Sequence, residues 1–121
     1  MTNSRAKGAR GEREAARYLA ALLDLPITRN ARNGIETTDL HVPDLDIVIE
    51  VKFGYEKMDL HTTLLTKACE QAEGYTRPDQ HWCVLWKQSR KAWRLTSHSP
   101  FGQATIAGDD SIRAFLMNYK R

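Results

Sequence analysis

The stretch Thr38-Asp39-Leu40-His41-Val42-Pro43-Asp44-Leu45-Asp46-Ile47-Val48-Ile49-Glu50-Val51-Lys52 decides the fold. Leu40, Val42, Ile47, Ile49 and Val51 alternate on either side of Pro43-Asp44-Leu45-Asp46, which reads as a turn joining two strands. Side chains on a strand alternate faces, and opposite residues of a hairpin share a face. Placing all these apolar residues on one face requires paired residue numbers that add to an odd value. The value 89 centres the turn on Asp44-Leu45 and pairs Leu40 with Ile49. That register sets Asp39 opposite Glu50, with Lys52 further along on the same face. Leu45 is a poor residue for a tight primed turn, but the parity holds whatever the turn geometry.

Two carboxylates with Cβ atoms about 5 Å apart repel one another and lose solvation unless a cation sits between them. A hard cation with oxygen ligands, Mg²⁺ or Mn²⁺, resolves the conflict, since Mg²⁺ is typically held by one or two carboxylates plus substrate phosphate. Lys52 beside it would orient water and stabilise charge developing on a phosphate. The competing reading is an edge hairpin with a polar solvent face and a surface Glu–Lys pair. Spacing alone leaves both open.

Outward from this hairpin, Ala15, Ala16, Leu19, Leu22 and Leu23 recur at helical spacing and predict a first helix over Ser4–Leu23, with Ser4 as N-cap and Pro26 as the stop. Residues 28–37 read as a loop carrying Arg29 and Arg32. A second helix is predicted over 62–75, with Leu64, Leu65, Ala68 and Ala72 on one face. Residues 81–86 and 92–96 read as a second hairpin, and 110–119 as a last helix striped by Ile112, Phe115, Leu116 and Tyr119. The order α-β-β-α-β-β-α describes an α/β domain with a central mixed β-sheet flanked by helices.

The chain has 121 residues, which bounds it to one domain over 1–121. Hydrophobic residues at 41% and charged residues at 27% match a globular chain rather than a disordered one. No apolar run approaches the roughly 18 residues of a spanning helix. Cys69 and Cys83 stand apart, without Cys-x-x-Cys or paired histidines, which argues against zinc and disulfide frameworks and for a reducing cytoplasm. Up to Arg32 there are seven basic residues (Arg5, Lys7, Arg10, Arg13, Arg17, Arg29, Arg32) against Glu12, Glu14 and Asp24, so this segment is +4 and the remainder −1. Such asymmetry suggests a polyanion, most often nucleic acid. A solvated helix face is the alternative.

Asp39 followed by Glu50-Val51-Lys52 resembles the PD-(D/E)XK nuclease signature, an acid on one strand preceding Glu-x-Lys on the next. Lys7-Gly8-Ala9-Arg10-Gly11-Glu12-Arg13-Glu14 is similar to the opening helix of small archaeal and phage Holliday junction resolvases within that superfamily. Gln71-Ala72-Glu73-Gly74-Tyr75 is similar to the Gln-x-x-x-Tyr element of its recombination-type exonucleases. The resemblance covers roughly 7–96. It implies a restriction-endonuclease-like core and a Mg²⁺- or Mn²⁺-dependent, structure-specific DNA endonuclease. Glu12, Asp39, Glu50 and the Val51 carbonyl would hold the metal, with Lys52 and Gln71 in supporting catalytic roles. The family's Pro-Asp dipeptide falls at Pro43-Asp44, too close to Glu50 and inside the turn, so Asp39 takes the ligand role with Asp44 in reserve. At about 100° per residue Glu12 lies about 20° from Leu19 on the apolar stripe and Glu14 about 140° away. An acid on a buried stripe needs a partner, and the metal cluster is one; the stripe's exposed end is the other explanation.

Arg5, Lys7, Arg10, Arg13, Arg17, Arg29 and Arg32 are the candidate contacts to DNA phosphates, which fix register without reading sequence. Paired cuts in a four-way junction imply a symmetric homodimer, with Trp82, Trp86, Trp93 and Phe115 as candidate seam residues or, equally, core. A nicking, repair or restriction-like nuclease and a non-catalytic DNA-binding module on the same fold are the alternative functions.

Overall fold

A computed structural model of the chain describes residues 4–30, 39–55, 63–77, 80–99 and 102–119, with side chains over 9–30, 39–54, 65–77, 80–97 and 104–119. In order the elements are α1 (Ser4–Leu23), β1 (Thr28–Arg29), β2 (Leu40–Val42), β3 (Ile47–Tyr55), α2 (Thr63–Gly74), β4 (His81–Gln88), β5 (Arg94–Ser99), β6 (Gly102–Ala107) and α3 (Asp109–Met117). The strands form one sheet in the order β1-β2-β3-β4-β5-β6. Neighbours are antiparallel except β3 and β4, which are parallel and joined through α2. A parallel pair needs such a crossover.

Helices cover both faces of the central strands. Ala15, Leu19 and Leu23 of α1 and Ile112 and Leu116 of α3 pack with Leu40, Val42, Ile47, Ile49 and Val51. On the opposite face Leu65, Ala68, Cys69 and Ala72 of α2 pack with Val84 and Trp86. A central strand buried on two sides reads as a continuous run rather than an alternation, and every residue from Ile47 to Val51 is buried. The polar-solvent-face reading of the first hairpin fails for this reason: Glu50 is 0% exposed.

The mixed α/β sheet with flanking helices is as expected, but the order is α-β-β-β-α-β-β-β-α. β1 falls in the segment read as a loop. It is two residues long and exposed, so it has no apolar signature. β6 likewise carries no strong alternation; it pairs with β5 through a complete register from Arg94↔Ala107 to Ser99↔Gly102. α1 ends at Asp24, whose φ of 54° is left-handed and whose N–H donates to the Ala20 carbonyl at 2.9 Å. Trp86 and Trp93 are consumed by this chain's own core, at 1% and 8% exposure, so neither is a seam residue. Trp86 Nε1 donates to Thr96 Oγ1 at 2.9 Å, and Trp93 stacks on Tyr18 at 5.8 Å. Among the described residues no helix is long and apolar enough to cross a membrane.

Two contacts set where the site's elements lie. The β2–β3 turn is closed by Leu45 N–H to Val42 O and Asp46 N–H to Pro43 O, each at 3.2 Å, with Leu45 buried and Asp46 left-handed at φ 51°. Asp46 Oδ1 accepts from Gln80 Nε2 at 3.0 Å and meets His41 Nε2 at 3.1 Å and Arg77 at 3.8 Å. These tie the turn to the segment entering β4. The other contact is Gly11 against Phe53: a Cβ on Gly11 would lie 2.5 Å from Phe53 Cβ.

Gly11→Ala is expected to lower the thermal midpoint. Overpacking against a Cβ costs about 1–3 kcal/mol, which exceeds the roughly 1 kcal/mol gained from helix propensity. An unchanged or raised midpoint in a melt would show that α1 shifts freely. The hydrogen bond from Gln80, then that from His41, holds the Asp46 carboxyl below its ordinary value. A depressed carboxyl contributes stability above its unfolded pKa of about 3.9 and loses it as pH falls through the folded value. Asp46→Asn, which tolerates the left-handed backbone, is therefore expected to be less stable than wild type at neutral pH. The difference should close on acidification below about pH 4, read by denaturant titration across pH. A difference independent of pH would remove the charge from the explanation.

Candidate active site

The observed register of β2 and β3 is Leu40↔Ile49, His41↔Val48 and Val42↔Ile47. One further step brings Asp39 across from Glu50, on the face that α2 covers. Both are deeply buried, at 3% and 0% exposure. Asp39 sits between two strands: its carbonyl accepts from Asn30 N–H at 3.0 Å and its Oδ2 accepts from Val51 N–H at 2.7 Å. That second bond fixes the carboxylate against the strand that carries Glu50. Asp39 Oδ1 and Glu50 Oε2 are buried oxygens with no hydrogen bond of their own among the described residues, although both residues have other contacts.

Burying a carboxylate costs several kcal/mol unless charge or hydrogen bonds compensate, and two on adjacent strands compound the cost. Two carboxylates and a main-chain carbonyl are a hard oxygen donor set, suited to Mg²⁺ or Mn²⁺. Lys52 lies on the same face of β3 as Glu50, half-buried, with Trp86 opposite it on β4.

Glu12 stands elsewhere. It belongs to α1, which packs on the other face of the sheet, and its Oε2 meets Arg29 Nη2 of β1 at 3.4 Å with the side chain 19% exposed. Among the described residues no three or more His, Cys, Asp or Glu are grouped to hold a metal. The structure thus brings Asp39 and Glu50 together with Lys52 and leaves Glu12 on an arginine. Asp44 is exposed in the turn, while Asp39 is buried beside Glu50. Gln71 is half-buried on α2, in the layer that covers Glu50, and its carbonyl accepts from Tyr75 N–H at 3.2 Å.

Of the basic residues, Arg10, Arg13 and Arg17 are exposed along α1. Arg10 Nε pairs with Glu14 at 3.3 Å. The side chains of Arg5 and Lys7 and the whole of Arg32 lie outside the described residues. One feature was invisible in the sequence. Lys52, Trp86 and Arg94 form a row across β3, β4 and β5, with Arg94 Cζ 5.7 Å above the Trp86 ring. Strand order brings them together, and strand spacing along the chain gives no sign of it. Cys69 and Cys83 are free and buried, and burial pushes their thiols up to about 11 and about 12. Protonated at neutral pH, they are inert.

No protein-family model matches the chain, and no curated protein does. Among solved structures it is similar to Hjc of Archaeoglobus fulgidus, a Holliday junction resolvase from an archaeal hyperthermophile. The TM-score is 0.58 at 20% identity, over 90% of this chain and 99% of that one. At this identity the likeness shows the fold alone: a mixed α/β sheet with flanking helices like that of the archaeal protein, the fold class expected from the sequence.

Proposed function

We propose that this protein is a divalent-metal-dependent DNA endonuclease, a Holliday junction resolvase of the small archaeal and phage type, working in a reducing cytoplasm. The observation that carries the reading is the buried pair Asp39 and Glu50 on neighbouring strands with Lys52 on the same face. Asp39, Glu50 and the Val51 carbonyl would hold Mg²⁺ or Mn²⁺. When bound, the cation supplies Lewis acidity at the phosphoryl oxygens and eases deprotonation of water. Lys52 places its ammonium where negative charge develops during in-line attack at phosphorus, a contribution larger in the transition state than in the bound substrate. Gln71 orients the attacking water by hydrogen bonding. The Val51 N–H holds the Asp39 carboxylate against the strand that carries Glu50, so Asp39 is fixed before substrate arrives. Arg5, Lys7, Arg10, Arg13 and Arg17, with Arg29 and Arg32, hold backbone phosphates.

One observation favours a second reading. With Glu12 on Arg29 and no third acid beside the pair among the described residues, a non-catalytic DNA-binding module on the same fold is the alternative. Incubation with labelled four-way junction, Y-fork, nicked and linear duplex, with and without Mg²⁺, decides between them. Junction cleavage that a chelator abolishes is the expected result. Equal cutting of every duplex leaves a nicking, repair or restriction-like nuclease, and binding without cutting under any metal leaves the module. Asp39→Asn and Glu50→Gln are each expected to cut roughly a thousandfold more slowly, the several kcal/mol that a bound cation contributes. Their junction binding should be unchanged or tighter, because a carboxylate that repels phosphate is gone. Lys52→Ala should lose more in cleavage than in binding. Should Asp44→Asn be inactive and Asp39→Asn active, the acid is misassigned.

Two cuts of like polarity need two sites related by a two-fold axis. Sedimentation is therefore expected to give twice the 13.8 kDa chain mass, with half-buried Trp82 and Phe115 the remaining aromatic seam residues. A chain that stays monomeric on a four-way junction would remove the resolvase and keep a simpler nuclease.

A further inference from the structure

Phe53 closes the α1 face of β3 at the strand's far end, one residue beyond Lys52. Two cations from different elements converge on its ring. Arg10 Cζ of α1 lies 5.8 Å from the ring centroid and Lys87 Nζ of β4 lies 6.0 Å from it. Lys87 also stands 5.8 Å from the Trp93 ring, and Trp93 is 5.9 Å from Phe53. The backbone holds this corner in place. Phe53 registers with Lys87 before the pairing shifts, Gly54 is left-handed at φ 78°, and Ser89 Oγ donates to the Gly54 carbonyl at 3.0 Å. Gly11 seats α1 on Phe53 and so fixes Arg10.

Two like charges gathered on one ring repel, and the acidic counterpart present is small. Glu14 takes the Nε of Arg10 and leaves its terminal nitrogens. Among the described residues Lys87 meets no carboxylate within ion-pair distance. An aromatic floor under two cations favours an anion over another ring, because the cations already occupy the ring's electron-rich surface.

We infer that Arg10 and Lys87, supported by Phe53 and Trp93, form a clamp for one backbone phosphodiester of DNA, separate from the phosphate that would be cut. The inference rests on the nuclease reading. Lys52 and Phe53 are consecutive on β3 and face opposite sides of the sheet. A strand crossing the end of β3 therefore meets Lys52 and Glu50 on one side and the clamp on the other. This places α1, which lies across the sheet from Glu50, in reach of the same strand.

The test uses junction binding without divalent metal, followed by fluorescence anisotropy over a range of salt. Lys87→Met keeps the apolar stem on the rings and removes the charge; Arg10→Gln does the same for α1. Each is expected to lower the slope of log affinity against log salt, and the pair to lower it by about 0.9 in all rather than twice that, since the two cations share one phosphate. Arg113→Gln on exposed α3 should leave the slope unchanged. Melting curves matching wild type establish that the variants are folded, and Lys87→Arg should restore the slope if Lys87→Met proves unstable. If wild type binds and the variants keep its slope, or Arg113→Gln lowers it equally, the clamp is wrong and the nuclease reading stands. Wild type that binds no DNA removes both.

Discussion

The pairing of Leu40 with Ile49 governs the rest of the molecule. A strand has a side-chain period of two, so a slip of one residue would exchange every face of β3. Ile49 and Val51 would then leave the α1 layer, and Glu50 and Lys52 would be driven into it. The register is held from both ends. Leu45 is buried under the turn while Asp46 ties the turn to His41 and Gln80. At the other end the Val51 N–H bonds directly to Asp39. The bonds that fix the hairpin are thus the bonds that bring the two acids side by side.

Much of this was legible because its signals are strong and local. α1 has five apolar residues at helical spacing, and the hairpin's parity follows from strand geometry without any knowledge of the turn. What failed to show in the sequence depends on partners distant in the chain. β1 is two residues of exposed strand, recognisable only through Thr28↔His41 and Arg29↔Leu40. β6 offers Thr105 and Ile106 to the sheet and exposes Ala104 and Ala107, too weak an alternation to read. Burial of Glu50 depends on α2 returning over the sheet through the crossover to β4, which no local pattern in 38–52 encodes. Glu12 is the instructive residue. Its place on the apolar stripe was readable, but the partner that answers it is Arg29, on a strand the sequence did not reveal.

The site's energetics explain why a protein would tolerate it. Val48 and Val84 surround Glu50 with hydrocarbon, and Asp39 is nearly as enclosed. An apolar pair in their place would pack without the desolvation cost that ionised carboxylates carry. Stability is therefore sacrificed at this point, and the sacrifice has a use if a cation is to be bound tightly, because ligands already stripped of water need not be stripped again. Low dielectric also strengthens whatever Lys52 contributes at half-burial beside them.

The arrangement of charge on the two faces has a structural consequence. Acids and Lys52 lie under α2, whereas the exposed arginines line α1 on the reverse side. A flat duplex laid on either face alone reaches one set and leaves the other. The two sets meet towards the end of β3, where Lys52 and Phe53 are consecutive and face opposite sides, and where the pairing with β4 shifts at the left-handed Gly54 before resuming at Tyr55↔Gln88. A nucleic acid engaging both sets must pass over that end, bent or branched, and a straight duplex gains less from the same contacts. If the protein acts on DNA as proposed, selectivity for DNA that can wrap an edge would follow from where α1 sits, which the contact between Gly11 and Phe53 sets.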